Sequence, residues 1–363
     1  MAKARPTIWP LEDHTSAKHD LLTRYLSRWV PIFQHGFGKT GDLVLIDGFA
    51  GPGVYSGGEP GSPVLMIRQY LNAPRDPSTC LHCFFIEEDP KRVAELERRI
   101  GGFRGPKCQI KVLAGDYASH YAAVMEYVDR LENPAVFAFL DPFSAVEGPE
   151  FAVDVVVRPR SEVLVYLPVG HFARFIDQSS LERTLDGVYG DSRWKVLRGK
   201  STARITNGLI ELYAQRLAEP SSGQGGRFYV EWFGIQPAKG ERYYLFLATK
   251  HRKAVEAIRD AMWAVDPANG RLFNARQPPQ PGLEVWKGGL AAALQTRFPK
   301  GARFDFKDAW EFVVDEQPPF DKARLRAALA LLRDGGHLEI RNPKTGKTSR
   351  RGFPPGQTIT MLD

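Results

Sequence analysis

Five short apolar runs alternate with helical patterns along the first half of the chain, and four of them end at or just before an acidic residue. They are Leu43-Val44-Leu45-Ile46-Asp47, Phe84-Phe85-Ile86-Glu87, Ile110-Lys111-Val112-Leu113 ahead of Asp116, Val136-Phe137-Ala138-Phe139-Leu140-Asp141, and residues 162–167. Each run is short, rich in β-branched or aromatic residues and apolar on both faces, which predicts buried strands. The segments between them, 63–71, 90–100 and 119–131, carry helical spacing. Strand–helix alternation of this kind predicts an α/β fold, a parallel sheet doubly wound by right-handed crossovers. Ahead of it, Leu21, Leu22, Tyr25, Leu26, Trp29, Ile32 and Phe33 recur every three or four residues and predict an amphipathic helix over 15–35.

The chain has 363 residues, 43% hydrophobic and 25% charged, the balance of a protein with a sizeable core. It holds no apolar run long enough to span a membrane, and no apolar stretch follows the basic start, so neither membrane association nor secretion is expected. Three cysteines do not make a disulfide framework, and a cytoplasmic location is expected. Cys80 and Cys83 have the spacing of half a zinc site. No second pair follows, so they read as structural cysteines and no metal is expected.

Residues 168–227 read as an irregular helical insertion able to clamp a substrate. Two further strands, 228–235 and 242–249, form a hairpin, and a helix follows over 252–265. The first domain is therefore set at 1–268, with a linker over 269–296 around its Pro-rich run. The tail, 297–363, reads as two helices and a hairpin, the outline of a winged helix. It carries more than half of the net charge of +7. Its hairpin tip presents Arg341, Lys344, Lys347, Arg350 and Arg351 with no acidic residue between them. The basic loop makes a nucleic-acid partner, DNA or RNA, the expectation.

In an open parallel sheet, ligands sit beyond the carboxyl ends of the strands. There the sequence places a glycine-rich turn, Asp47-Gly48-Phe49-Ala50-Gly51-Pro52-Gly53, then Glu87, Asp116 with Tyr117, and Asp141-Pro142-Phe143-Ser144. Glycines admit a close ligand, Glu87 suits ribose hydroxyls, and Asp116 and Tyr117 suit an adenine amino group and ring face. The turn lacks the G-x-G-x-x-G pattern of dinucleotide sites. An Asp before it would repel a pyrophosphate but suits an ammonium group. S-adenosyl-L-methionine is the expected cofactor, and Ser62 is placed to donate near its methionine part.

These residues resemble motif I of the class I methyltransferases, especially those that methylate amino groups of DNA and RNA. More narrowly, Asp47–Gly53, Gly58-Glu59-Pro60-Gly61-Ser62-Pro63 and Leu140-Asp141-Pro142-Phe143, with His14–His19 and Tyr25–Trp29 upstream, resemble the three-Cys-motif partner (TcmP) family. The Gly-Ser-Pro and Asp-Pro elements are also similar to those of the rRNA adenine-N6 methyltransferases of the RlmJ type. The resemblance implies a Rossmann-like methyltransferase sheet with a final hairpin and a winged-helix-like C-terminal domain. It further implies that Lys18 contacts the cofactor carboxylate, that Asp141 and the Pro142 carbonyl accept hydrogen bonds from a target amino group, and that Phe143 stacks on the base. The amino-methyltransferase pattern is Asp-Pro-Pro-aromatic, whereas this chain has one proline and an earlier aromatic. Two functions follow: transfer of a methyl group to an exocyclic amino group of a nucleic-acid base, or a catalytically degenerate adaptor acting with a three-Cys-motif partner protein.

Overall fold

The computed structural model describes residues 6–35, 41–74, 78–142, 150–219, 227–277, 285–342, 345–349, 352–353 and 356–362. The chain divides into two compact units. The first is Met1–Ile258 with Leu272–Pro278, and the second is Arg259–Arg271 with Pro279–Asp363.

The first unit is built on an eight-stranded sheet. Its strands are β1 (Leu43–Asp47), β2 (Leu81–Glu87), β3 (Cys108–Ala114), β4 (Ala135–Leu140), β5 (Ser161–Leu167), β6 (Tyr229–Gln236), β7 (Tyr243–Thr249) and β8 (Leu272–Asn274), in the order β3-β2-β1-β4-β5-β7-β6-β8. From β3 to β5 all pairs are parallel, while β7 runs antiparallel between β5 and β6. β1, β2, β4 and β5 are buried at every position, as their continuous apolar runs require. The edge strand β3 is buried only in part. The strand order reverses between β1 and β4, and this opens a crevice at their carboxyl ends.

Helix α1 (Asp13–His35) buries Leu21, Leu22, Tyr25, Leu26, Trp29, Val30 and Phe33. Ile32 is only half-buried, because Val30 takes the inward position. Between the strands run α2 (Ser62–Asn72), α3 (Pro90–Ile100), α4 (Tyr117–Asp129) and α5 (Glu150–Val157). The irregular stretch after β5 forms α6 (Val169–Phe175), α7 (Glu182–Tyr189) and α8 (Thr202–Ala218). Its Phe172, Leu185, Tyr189, Trp194, Leu209 and Tyr213 belong to the same buried cluster as Val136, Val163 and Phe246 of the sheet.

The structure differs from the expected linker over 269–296. β8 lies there and pairs with β6, and α10 (Val285–Arg297) follows. Three residues of strand are too few for a periodic signal, and Gly288-Gly289 inside α10 weaken its helical pattern.

The second unit contains α10, β9 (Arg303–Phe304), α11 (Phe306–Glu316), α12 (Lys322–Asp334), β10 (Leu338–Arg341) and β11 (Thr358–Met361). β11 pairs antiparallel with both β10 and β9. Asp305 and Asp308 close a reciprocal cap on α11, and Asp321 caps α12 through the Arg324 N–H. The last turns of α9 (Arg252–Val265) also belong to this unit. There the fully buried Arg259 donates to the carbonyls of Val313, Val314 and Phe320. Trp263 packs against Trp286 and Phe320 and donates to the Pro319 carbonyl.

Candidate cofactor and active site

At the end of β1 the chain turns sharply, and glycine allows it. Gly51 and Gly53 take left-handed backbone angles, φ +62° and +72°. The Gly51 N–H donates to Glu87 Oε2 at 2.9 Å, and the Ala50 N–H donates to the Ile86 carbonyl at 2.8 Å. The loop closes where the Gly61 N–H donates to the Gly53 carbonyl at 2.9 Å. A Cβ at Gly61 would lie 2.9 Å from the Gly53 carbonyl carbon, so the Gly-Ser-Pro element is glycine by necessity. Gly61, not Ser62, is the N-cap residue of α2, and no side-chain capping bond is made there. Ser62 is buried and turned to the cleft instead.

A cleft opens above this turn. Lys18, Phe49, Ala50, Gly51, Gly53, Ser62 and Asp141 all line it, so the expected residues of α1, the turn, α2 and β4 converge. Lys18 Nζ forms an ion pair with Asp141 Oδ2, both side chains being about nine-tenths buried. The ammonium also lies 4.9 Å from the centroid of the Tyr166 ring.

Asp47 lies under the turn, fully buried, and accepts the Phe49 N–H on Oδ1 at 3.1 Å. Burial pushes its carboxyl up to about 7. The nearby Ser62 hydroxyl and the Phe49 N–H favour the charged form, as does Lys18, while Asp141 opposes it. Its Oδ2 is sealed from water and closes no hydrogen bond of normal geometry. A buried carboxylate so poorly matched is stabilised by an arriving positive charge.

Trp9, Thr15, His19, Val54 and Tyr55 also line the cleft, and the sequence reading did not select them. Thr15, Lys18, Leu22, Tyr25 and Trp29 share one helical stripe, which turns from apolar to polar at its N-terminal end. That change was the available signal. Burial and the Lys18 charge push the His19 imidazole down to about 3, so it is neutral. Trp9 lies over the turn, its backbone carbonyl accepting from the Ser56 N–H at 3.0 Å and its ring facing the Arg92 guanidinium at 5.1 Å.

Other expected residues are placed elsewhere. Glu87 is buried, with Oε2 on Gly51, Oε1 on the Asp89 N–H at 2.9 Å, and Arg92 3.5 Å away. Asp116 is the N-cap of α4, accepting the Ser119 N–H. Tyr117 is buried in the core against Phe49, close beneath Gly48. Pro142 is half-buried beside Asp141, and Phe143 lies outside the described residues. In the second unit, Arg341 is exposed and pairs with Glu339 at 2.9 Å, and Lys347 is exposed. Lys344, Arg350 and Arg351 lie outside the described residues.

A sheet ordered β3-β2-β1-β4-β5-β7-β6, with β7 reversed, is the Rossmann-like fold of class I methyltransferases, here extended by β8. No family model matches the chain. Among solved structures it is similar to an O-methyltransferase from Bacillus cereus in complex with SAH, at 13% identity over 66% of this chain and 82% of that one, with a TM-score of 0.35. It is also similar to the O-methyltransferase TomG from Streptomyces achromogenes in complex with SAM, at 16% identity over 64% and 80%, TM-score 0.33. An rRNA methylase from Streptococcus thermophilus matches at 9% identity over 65% and 95%, TM-score 0.30. The strand order by itself defines the fold. Among the described residues, no helix is long and apolar enough to cross a membrane.

Proposed function

We propose that this chain is an S-adenosyl-L-methionine-dependent methyltransferase acting on an exocyclic amino group of a nucleic-acid base. The observation that carries the reading is the convergence of Lys18, the glycine turn, Ser62 and Asp141 on one cleft above the buried Asp47. The cofactor, when bound, supplies an electrophilic methyl on a sulfonium centre. Its ammonium suits the acidic floor at Asp47, and its carboxylate suits Lys18 and Ser62. The glycine turn keeps Cβ atoms out of its way. Glu87 holds that turn in shape at the ribose side of the cleft. Once Lys18 turns to the incoming carboxylate, Asp141 is released to accept a hydrogen bond from the target NH2, alongside the Pro142 carbonyl. Those two acceptors would aim the nitrogen lone pair at the methyl, and Asp141 would take up the proton that the amino group loses and pass it to water. Positioning and charge complementarity supply the rate.

The second unit supports the polymer assignment. Its succession of α10, β9, α11, α12, β10 and β11, with a long basic connection between the last two strands, is read as a winged helix whose wing touches phosphates. A base in a duplex must be flipped out to reach the cleft.

Calorimetry with S-adenosylhomocysteine, and transfer of labelled methyl to RNA and DNA, test the proposal. Asp141→Ala should retain cofactor binding and lose transfer, and full activity in that variant would remove Asp141 from the mechanism. Arg341→Ala and Lys347→Ala should each weaken polynucleotide binding and lower the slope of log affinity against log salt by about one.

The ion pair that already engages Asp141 favours one other reading, a non-catalytic adaptor. Its partner would be a three-Cys-motif protein, as the TcmP resemblance implies. Methyl transfer to no polymer, together with co-purification of such a partner, would favour it.

A further inference from the structure

At the opposite, amino-terminal edge of the sheet, three donor atoms of different chemistry meet. Asp42 directly precedes β1, Cys80 directly precedes β2, and His82 lies on β2. One ligand atom from each, carboxylate oxygen, thiol sulfur and imidazole nitrogen, falls within 4.8 Å of the other two. We propose that this trio binds a zinc ion, with water in the fourth position.

The local fold explains how the donors are aimed. Parallel pairing sets Leu43 against Leu81, so Asp42 and Cys80 are neighbours at the strand entrances. The Cys80 N–H donates to Asp42 Oδ1 at 2.8 Å, which turns Oδ2 toward His82. Cys80 and His82 are two residues apart and project on the same side, whereas Cys83 projects on the other. That is why Asp42, and not Cys83, completes the set.

The surroundings of His82 then favour a cation. The Tyr127 hydroxyl lies 2.9 Å from His82 Nδ1 and donates to Gln109 Oε1 at 3.3 Å. With the Tyr127 proton directed at Gln109, the phenol oxygen can accept from Nδ1–H, the tautomer that frees Nε2 to bind a metal. Nε2 stands 3.0 Å from Asp42 Oδ2, a contact that either a proton or a cation can close. A histidine whose second nitrogen is held by an outer partner is the usual way a protein orients a metal-binding imidazole.

Thiolate, imidazole and carboxylate together select zinc over the hard cations magnesium and calcium. Zinc bonds of about 2.0–2.3 Å put tetrahedral ligand atoms roughly 3.3–3.8 Å apart. The widest pair therefore needs to draw in by about 1 Å, by rotation of the partly exposed Cys80 thiol, while the Nε2–Oδ2 pair opens slightly from 3.0 Å.

The full-length protein, stripped with a chelator and titrated with cobalt(II) as the spectroscopic probe, tests this. Equimolar uptake is expected, with a thiolate-to-cobalt charge-transfer band that zinc displaces. Cys80→Ser should lose the band, and Tyr127→Phe should weaken uptake by about tenfold to a hundredfold while keeping it. Far-ultraviolet circular dichroism of the metal-free variants checks that both fold. Absence of uptake by the wild-type chain would leave a proton as the only charge between His82 and Asp42 and overturn the site. An unchanged band in Cys80→Ser would overturn it equally.

Discussion

Lys18 on α1 and Asp141 at the end of β4, 123 residues apart, form a buried ion pair inside the cleft where the strand order reverses. Removing one member leaves an unpaired charge away from water. Lys18→Met should destabilise the fold by about 3–5 kcal/mol. The double variant Lys18→Met/Asp141→Asn should recover part of that loss. Urea denaturation of the three proteins measures it, and a single variant as stable as the wild type would contradict the pairing.

Asp47 gives the cleft a pH dependence. Its carboxyl holds its proton up to about 7 in the folded chain, against an ordinary value of 3.8. Between those values the unfolded chain has lost a proton that the folded chain retains, so stability falls as pH rises through the window. The cost is absent below the lower value and reaches at most about 4 kcal/mol above the upper one. Asp47→Asn should therefore be more stable than the wild type near neutral pH and converge with it in acid. Thermal melts across the window read this directly. Glu162, buried with the Tyr25 hydroxyl and Thr249 upon it, is also raised to about 7. Its share remains in the Asp47→Asn variant, so the pH dependence should be reduced and not abolished.

Gly61→Ala should disrupt the cofactor turn through backbone sterics. The added methyl meets the Gly53 carbonyl carbon at 2.9 Å, and backbone cannot swing aside as a side chain would. The expected cost is about 1–3 kcal/mol, with loss of S-adenosylhomocysteine affinity by calorimetry. Gly58→Ala, where a Cβ meets nothing within 4 Å but φ is +91°, should cost stability with a smaller loss of affinity.

Arg259 should be the most sensitive single position of the second unit. Its guanidinium satisfies the carbonyls of Val313, Val314 and Phe320 from a fully buried position. Arg259→Met keeps much of the volume but strands those acceptors, at about 1–3 kcal/mol for each that water cannot reach. Denaturant melts followed by tryptophan fluorescence should show the loss, since Trp263 and Trp286 pack in the same unit.

Helix α5, between β4 and β5, was not read from the sequence, whereas strands β1 to β7, helices α1 to α4 and the glycine turn are written locally in it. These follow from periodicity and backbone freedom, which act over a few residues. Asp141 at a strand end and Ser62 at a helix start are local facts too, whereas Lys18, inside α1, was suggested only by the family resemblance. Tertiary structure decided the partners. Tyr117, next to a plausible adenine-binding Asp, turned into the core because Gly48 leaves room for its ring. Glu87, the expected ribose carboxylate, was found also to hold the Gly51 and Asp89 N–H groups. Asp42 met Cys80 and His82 only through the pairing of β1 with β2. Spacing along a chain fixes which side of an element a residue faces. Which residue stands opposite depends on packing between segments far apart in sequence, and no local pattern encodes that.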